Sequence, residues 1–289
     1  MISILDTYPE FVSYWNKYRE QPMQQRIDGW VTDYMGQWPE LLQLQKDDYE
    51  SLSGGSWRGV AETKVFPFIA GRTDDIFRAH RNLLSEIKPI HTAASDLFGI
   101  ENLDVLFVLY VGIGCGAGWV TEYKGSHSVL FGLEMIAECG WSGRESIQGL
   151  VAHEIGHVVH AVLRNDPDLA RHNDPFWQLY TEGFAQRSEH ILLRGNTWHM
   201  QQGYNKAEWL KWCRANRSML AKKFLHNVDS NLDTAPFFGS WFDIQGYSQC
   251  GYYLGHEVIT DLEKMYSIKK IAMLENAQSE VRAVLENYL

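Results

Sequence analysis

The stretch ESIQGLVAHEIGHVVHAVLR, residues 145–164, decides the reading of this chain. Its apolar residues Ile147, Leu150, Val151, Ile155, Val158, Val159 and Val162 recur at three- and four-residue spacing, which predicts a helix. Ser142 and Glu145 stand at capping-box spacing ahead of it, and Asn165, Asp166 and Pro167 break it. Inside the helix lies His153-Glu154-Ile155-Gly156-His157, an H-E-x-x-H pattern. Four residues are about one turn, so both imidazoles leave the same face and can take two corners of a metal tetrahedron. Glu154 then lies beside them, in the place of a general base.

Two histidines do not complete such a centre, which takes three protein ligands and keeps one position open. His160 follows His157 by three residues, but three ligands from successive turns of one straight helix do not converge on one ion, so it is expected to pack in the core or to support a ligand. The better third ligand is Glu182, in Tyr180-Thr181-Glu182-Gly183-Phe184-Ala185. It falls on the next predicted helix, residues 174–194, opened by Asn173-Asp174-Pro175 and closed at Gly195. A hairpin of the two helices returns it to the first. The spacing after His157 does not suit a metzincin: Gly is absent there, and Arg164, Asn165 and Asp166 occupy the neighbourhood of a third histidine.

These residues carry a resemblance. The E-G-F-A segment at Glu182 resembles the segment that supplies the third zinc ligand in aminopeptidases of the gluzincin group, which also tend to have an acidic residue where Glu189 stands. The resemblance implies that Glu189 orients a ligand histidine. Gly251-Tyr252-Tyr253-Leu254-Gly255-His256 resembles the G-Y-x-x-G element of a poorly characterised family of predicted zinc-dependent proteases, which also has H-E-x-x-H followed by E-G. It implies a Zn2+ cofactor on His153, His157 and Glu182, and a peptide or protein substrate. Tyr252, with Tyr253 and His256 as alternatives, would donate a hydrogen bond to the developing oxyanion; close helix packing at Gly251 and Gly255 is the competing reading.

Around this centre the chain reads as α+β and zincin-like. Residues 1–100 form a mainly helical N-terminal region, with the clearest pattern from Thr73 to Leu97 and an expected kink or division at Pro89. Residues 101–289 form the catalytic region, with a small mixed sheet at 103–135, the metal helix at 145–164, the glutamate helix at 174–194 and a helical C-terminal lobe. Val105 to Val111 and Ser128 to Leu133 are apolar runs that suit strands, with a third strand between them after Gly112, Gly114, Gly116 and Gly118. Those glycines lack the G-x-x-x-x-G-K-[ST] spacing of a phosphate cradle. Zincins place an edge strand for extended substrate ahead of the metal helix, which implies that role for the strand ending at Glu134. Glu134 itself, in Gly132-Leu133-Glu134-Met135, is faintly similar to an exopeptidase element that binds a free amine, and otherwise ends the strand. Further helices are predicted over 206–226, 249–265 and from 268 onward.

Composition bounds the rest. Hydrophobic residues make up 45% of 289, which suffices for a substantial core. Cys115, Cys139, Cys213 and Cys250 are scattered without a C-x-x-C pair and are expected to be reduced and mostly buried. A net charge of −10 without basic clusters argues against nucleic acid as a partner. The first twenty residues lack the pattern of a secretory leader, and no apolar run is long enough for a bilayer, so the expected setting is cytoplasmic, away from membranes. The oligomeric state is not legible. The same ligands would serve hydrolysis of a non-peptide amide or ester, or a catalytically inactive metal- or peptide-binding protein. The presence of Glu154 favours an active centre.

Overall fold

An unbroken apolar run such as Val105–Tyr110 suits a strand covered on both faces. In the computed structural model, which describes residues 2–52, 56–166, 174–195, 197–201, 208–239 and 241–289, it is an inner strand of a four-stranded mixed sheet. The strands are β1 (Ile2–Asp6), β2 (Val105–Tyr110), β3 (Trp119–Tyr123) and β4 (Ser126–Gly132), in the order β1-β2-β4-β3. β1 and β4 run parallel to β2, and β3 is antiparallel to β4. The strand before Glu134 is therefore interior, not the edge that the zincin resemblance implied: β4 is paired on both sides, and the antiparallel edge is β3.

The chain forms two compact units, residues 1–85 with 104–147 and residues 86–103 with 148–289. This division differs from a boundary at residue 100, because the sheet belongs with the N-terminal helices. β1, which the sequence reading did not anticipate, pairs with β2 from Ile2↔Val105 to Asp6↔Leu109. Thr7 then donates through both its backbone N–H and its hydroxyl to Leu109 O, and Trp30 Nε1 donates to Val111 O. These bonds satisfy strand-end carbonyls with groups from the first thirty residues.

The first unit also holds α1 (Tyr8–Tyr18), α2 (Met23–Gly29), α3 (Pro39–Leu52), α4 (Trp57–Val60), the start of α5 (Phe66–Phe98) and α6 (Leu133–Glu138). Pro89 lies inside α5 and does not divide it, so of the expected kink or division the division does not occur. Buried Leu83, Ile87, Ile90 and Ala94 anchor the helix on both sides of the proline, and such packing outweighs one lost backbone bond. The glycine-rich loop after β2 closes around a carboxylate of its own. Glu134, buried on α6, accepts from Gly112 N at 2.6 Å and Gly114 N at 3.1 Å. Burial raises its carboxyl to about 7 despite these bonds. Glu134 thus neither ends the strand nor presents an outward acid for a substrate amine; it caps the loop.

The second unit takes most of α7 (Arg144–Arg164), then α8 (Pro175–Leu192), α9 (Trp209–Ala215), α10 (Arg217–Asp229), α11 (Cys250–Leu262), α12 (Ile268–Ala272) and α13 (Ala277–Glu286). Ile147, Leu150, Val151, Ile155, Val158 and Val159 are buried, as the periodicity of α7 requires, and Asn165 ends it in the left-handed region at φ 55°. Asp174 caps α8 by accepting from Trp177 N, with Pro175 in the first turn; Pro167, read as part of the break after α7, and Asn173, read as part of the start signal of α8, lie outside the described residues. The helix expected from Lys206 starts beyond the undescribed residues 202–207 and is interrupted at Asn216, whose side chain donates to Trp212 O and competes with the helical ladder.

Two sequence signals meet at one crossing in this unit. Gly183, of the E-G-F-A segment, faces Gly255, of the G-Y-x-x-G segment, where α8 and α11 touch backbone to backbone. A Cβ on Gly183 would stand 2.4 Å from Gly255 C, and one on Gly255 would stand 2.5 Å from Leu179 O. Gly156, between the two motif histidines, similarly lets α7 approach Ala185 and Ser188 of α8. The motif glycines bring α7, α8 and α11 together. Among the described residues no helix is long and apolar enough to cross a membrane. None of the four cysteines is in a disulfide, and Cys139, Cys213 and Cys250 are buried.

Candidate metal centre

On α7, His153 and His157 stand one turn apart with ring centroids 5.0 Å from each other. The close approach of α8 carries Glu182 to both of them. Its Oε2 lies 3.2 Å from His153 Nε2 and 3.4 Å from His157 Nε2. Ligand atoms from these three residues lie within 4.8 Å of one another. His153 is almost wholly buried, whereas the side chains of His157 and Glu182 are 15% and 19% exposed, so the cluster has one enclosed side and one open side.

The electrostatics follow from that enclosure. Burial would raise the Glu182 carboxyl, but His157 and then His153 outweigh it and hold the group far below the usual carboxylate range. Burial lowers His153 to about 4. His157 moves the other way, because Glu182 overcomes the burial penalty on its charged form. Glu154, only 5% exposed, is raised to about 7 by burial. An ionised carboxylate, two imidazoles and a neighbouring carboxyl poised near neutrality are thus collected in one place. Two nitrogens and one oxygen at this separation fit a borderline cation such as zinc, and a cation would replace the attraction that now draws both imidazoles to a single carboxylate oxygen.

Of the residues considered for the oxyanion contact, Tyr252 is the one that α11 sets beside the cluster. Its ring centroid is 5.5 Å from that of His153 and 6.0 Å from that of Phe238. Tyr253 and His256 turn instead towards Trp198, at 6.1 and 5.0 Å. His256 also packs against His190 at 4.3 Å, and neither ring nitrogen of His190 has a hydrogen-bond partner of good geometry. Burial lowers His190 to about 4, so the unfolded chain takes up its proton first as pH falls below the ordinary histidine range. Stability should therefore decline between roughly pH 6.5 and 4, by roughly 3 kcal/mol from this group. Denaturant unfolding of wild type and His190→Phe across that range checks it: the variant should show the shallower decline.

His160 faces away from the cluster. It is fully buried against Phe184, Tyr180 and Trp177, with ring separations of 4.4, 4.9 and 6.4 Å, and neither nitrogen has a well-formed hydrogen bond. A buried polar group of this kind costs about 1–3 kcal/mol. His160→Phe should therefore unfold at a temperature no lower than wild type and retain metal, whereas His157→Phe should lose metal.

Glu189 and His199 form a second group at the cluster's enclosed side. Glu189 accepts from His199 Nδ1 at 2.7 Å, and the His199 ring lies 5.1 Å from that of His153. Glu189 is thus hydrogen-bonded to His199, and its carboxylate also comes within 4.8 Å of a ring nitrogen of the motif histidine His153. The sequence reading missed His199. No spacing rule singles out a histidine ten residues beyond Glu189, because His199 opens a single 3-10 turn, His199–Gln201, too short to show a periodicity.

The chain matches no family model, no curated protein and no solved structure.

Proposed function

We propose that this chain is a zinc-dependent metallopeptidase with His153, His157 and Glu182 as metal ligands and Glu154 as general base. The observation that carries the reading is the convergence of two imidazoles and a carboxylate from adjacent helices beside a second, buried carboxyl. When bound, zinc supplies Lewis-acid polarisation of the substrate carbonyl and acidifies water towards neutrality.

The remaining steps belong to the chain's own side chains. Glu154, buried and near neutrality in its proton affinity, accepts the proton of the attacking water and returns it to the leaving amine. The Tyr252 hydroxyl donates a hydrogen bond to the carbonyl oxygen as charge develops there. The enclosed face formed by His153 limits access of solvent and strengthens these interactions. The ligand set alone would equally serve a non-peptide amide or ester; the resemblance of the E-G-F-A and G-Y-x-x-G segments to those of zinc-dependent proteases favours a peptide.

The test is hydrolysis of a mixed peptide pool by purified protein, with a chelator added and then excess zinc. Cleavage that stops with chelator and returns with zinc is expected. A zinc-loaded protein that cleaves no peptide but hydrolyses simple amides or esters would move the substrate to the other class.

A further inference from the structure

We propose that His199, fixed by Glu189 in a notch at Gly149, is a positioning residue that holds His153 and sets how tightly the centre binds metal. This rests on the metal-centre reading above, and concerns residues outside its ligand set.

Three observations lead there. Glu189 is fully buried, and its carboxylate accepts three N–H groups: His199 backbone N at 3.0 Å, His199 Nδ1 at 2.7 Å and Gln186 Nε2 at 2.9 Å. Gly149 lies one turn before His153 on α7, and a Cβ there would stand 2.7 Å from both Glu189 Oε1 and His199 Cβ. The missing side chain is the space that the pair occupies. Finally, ligand-type atoms of His153, Glu189 and His199 lie within 4.8 Å of one another, and His153 Nδ1 is buried without a hydrogen-bond partner.

A histidine that gives Nε2 to a metal carries its proton on Nδ1, and that proton needs an acceptor. A carboxylate oxygen of Glu189 lies within 4.8 Å of a ring nitrogen of His153, and His199 fixes the orientation of that carboxylate through two bonds. A second metal ion between these residues is the poorer account. Glu189 already accepts three N–H groups, and a carboxylate offers about four acceptor sites, so one remains for the His153 Nδ1 proton and a cation bound there as well would have to displace a donor.

The test measures zinc affinity by competition with a chromophoric chelator, together with zinc stoichiometry, thermal unfolding of the metal-free forms and peptide cleavage. The proteins are wild type, Glu189→Gln, His199→Leu, His199→Gln and Gly149→Ala. One equivalent of zinc is expected throughout, with Kd about 10–100-fold weaker in Glu189→Gln, His199→Leu and Gly149→Ala. His199→Gln, whose amide can still donate to Glu189, should recover most of the affinity. Gly149→Ala alters no polar group, so it carries the test if His199→Leu unfolds. Wild-type affinity in folded His199→Leu and Gly149→Ala overturns the proposal. So does an equal loss in the Gln and Leu variants, which marks a merely structural role, or a second equivalent of zinc that Glu189→Gln removes. The expected affinity ranking without peptide cleavage would bear out this inference while overturning the peptidase reading. Absence of zinc binding by wild type would overturn both.

Discussion

Glu154→Gln is expected to keep its metal and to lose turnover by about 10²–10⁴-fold. The ligand atoms converge from His153, His157 and Glu182, so the substitution removes none of them. It retains the volume and polarity of the side chain and deletes only its capacity to take a proton. In the metal-free protein burial raises the carboxyl to about 7, and a cation held beside it would lower that value towards a base that is ionised near neutral pH. Turnover on a cleavable peptide, measured beside metal content by elemental analysis, separates the two properties. A variant with wild-type turnover would remove Glu154 from the mechanism, and one that lost metal would make it part of the binding site.

The second large effect is expected at Gly183, one residue from Glu182, the proposed third metal ligand. In Gly183→Ala the new methyl would stand 2.4 Å from the carbonyl carbon and oxygen of Gly255. Backbone cannot rotate aside as a side chain can, so α8 must lift from α11. Overpacking inside a core costs about 1–3 kcal/mol, and a collision with backbone belongs at or above the upper end. The displacement also matters chemically, because α8 carries Glu182 and α11 carries Tyr252. Denaturant unfolding should give a midpoint well below wild type, with weaker zinc binding in the folded fraction. Gly71→Ala is the control: it is exposed inside α5 with nothing within 4 Å of the added Cβ, and it should be neutral or stabilising by up to about 1 kcal/mol. Wild-type stability in Gly183→Ala would mean that the crossing is looser than its geometry implies.

The parts of the molecule that the sequence made legible are those in which local periodicity and chemistry agree. α7 has a helical apolar pattern, a start signal and a stop signal, and His153 and His157 share its face because of the turn length alone. Asp174 and Pro175 similarly announce α8, and Glu182 follows from the need for a third ligand. What escaped the reading depends on contacts between distant residues. β1 has only five residues, two of them well exposed, and owes its form to pairing with β2 about a hundred positions away. The interior place of β4 depends on strand order, which no local pattern encodes. Pro89 signalled a break that flanking core residues override. The glycines of E-G-F-A and G-Y-x-x-G were visible as motif letters, but only the fold shows that two of them make a single contact.

Glu189 and His199 illustrate the same limit within the site. An acid seven residues after Glu182 suggests support for a ligand, whereas its partner His199 stands in a three-residue 3-10 turn with no periodicity to project. The buried carboxylate required donors, and the chain supplied them from His199 and Gln186.

The central claim, that His153, His157 and Glu182 hold a catalytic zinc ion, is tested most directly by elemental analysis of purified wild type and Glu182→Ala after zinc is supplied and excess is removed. Close to one equivalent of zinc in wild type, and a large loss in the variant with its fold retained, is the expected result. Wild type that neither holds nor takes up zinc, or a variant that binds it as tightly as wild type, would contradict the claim.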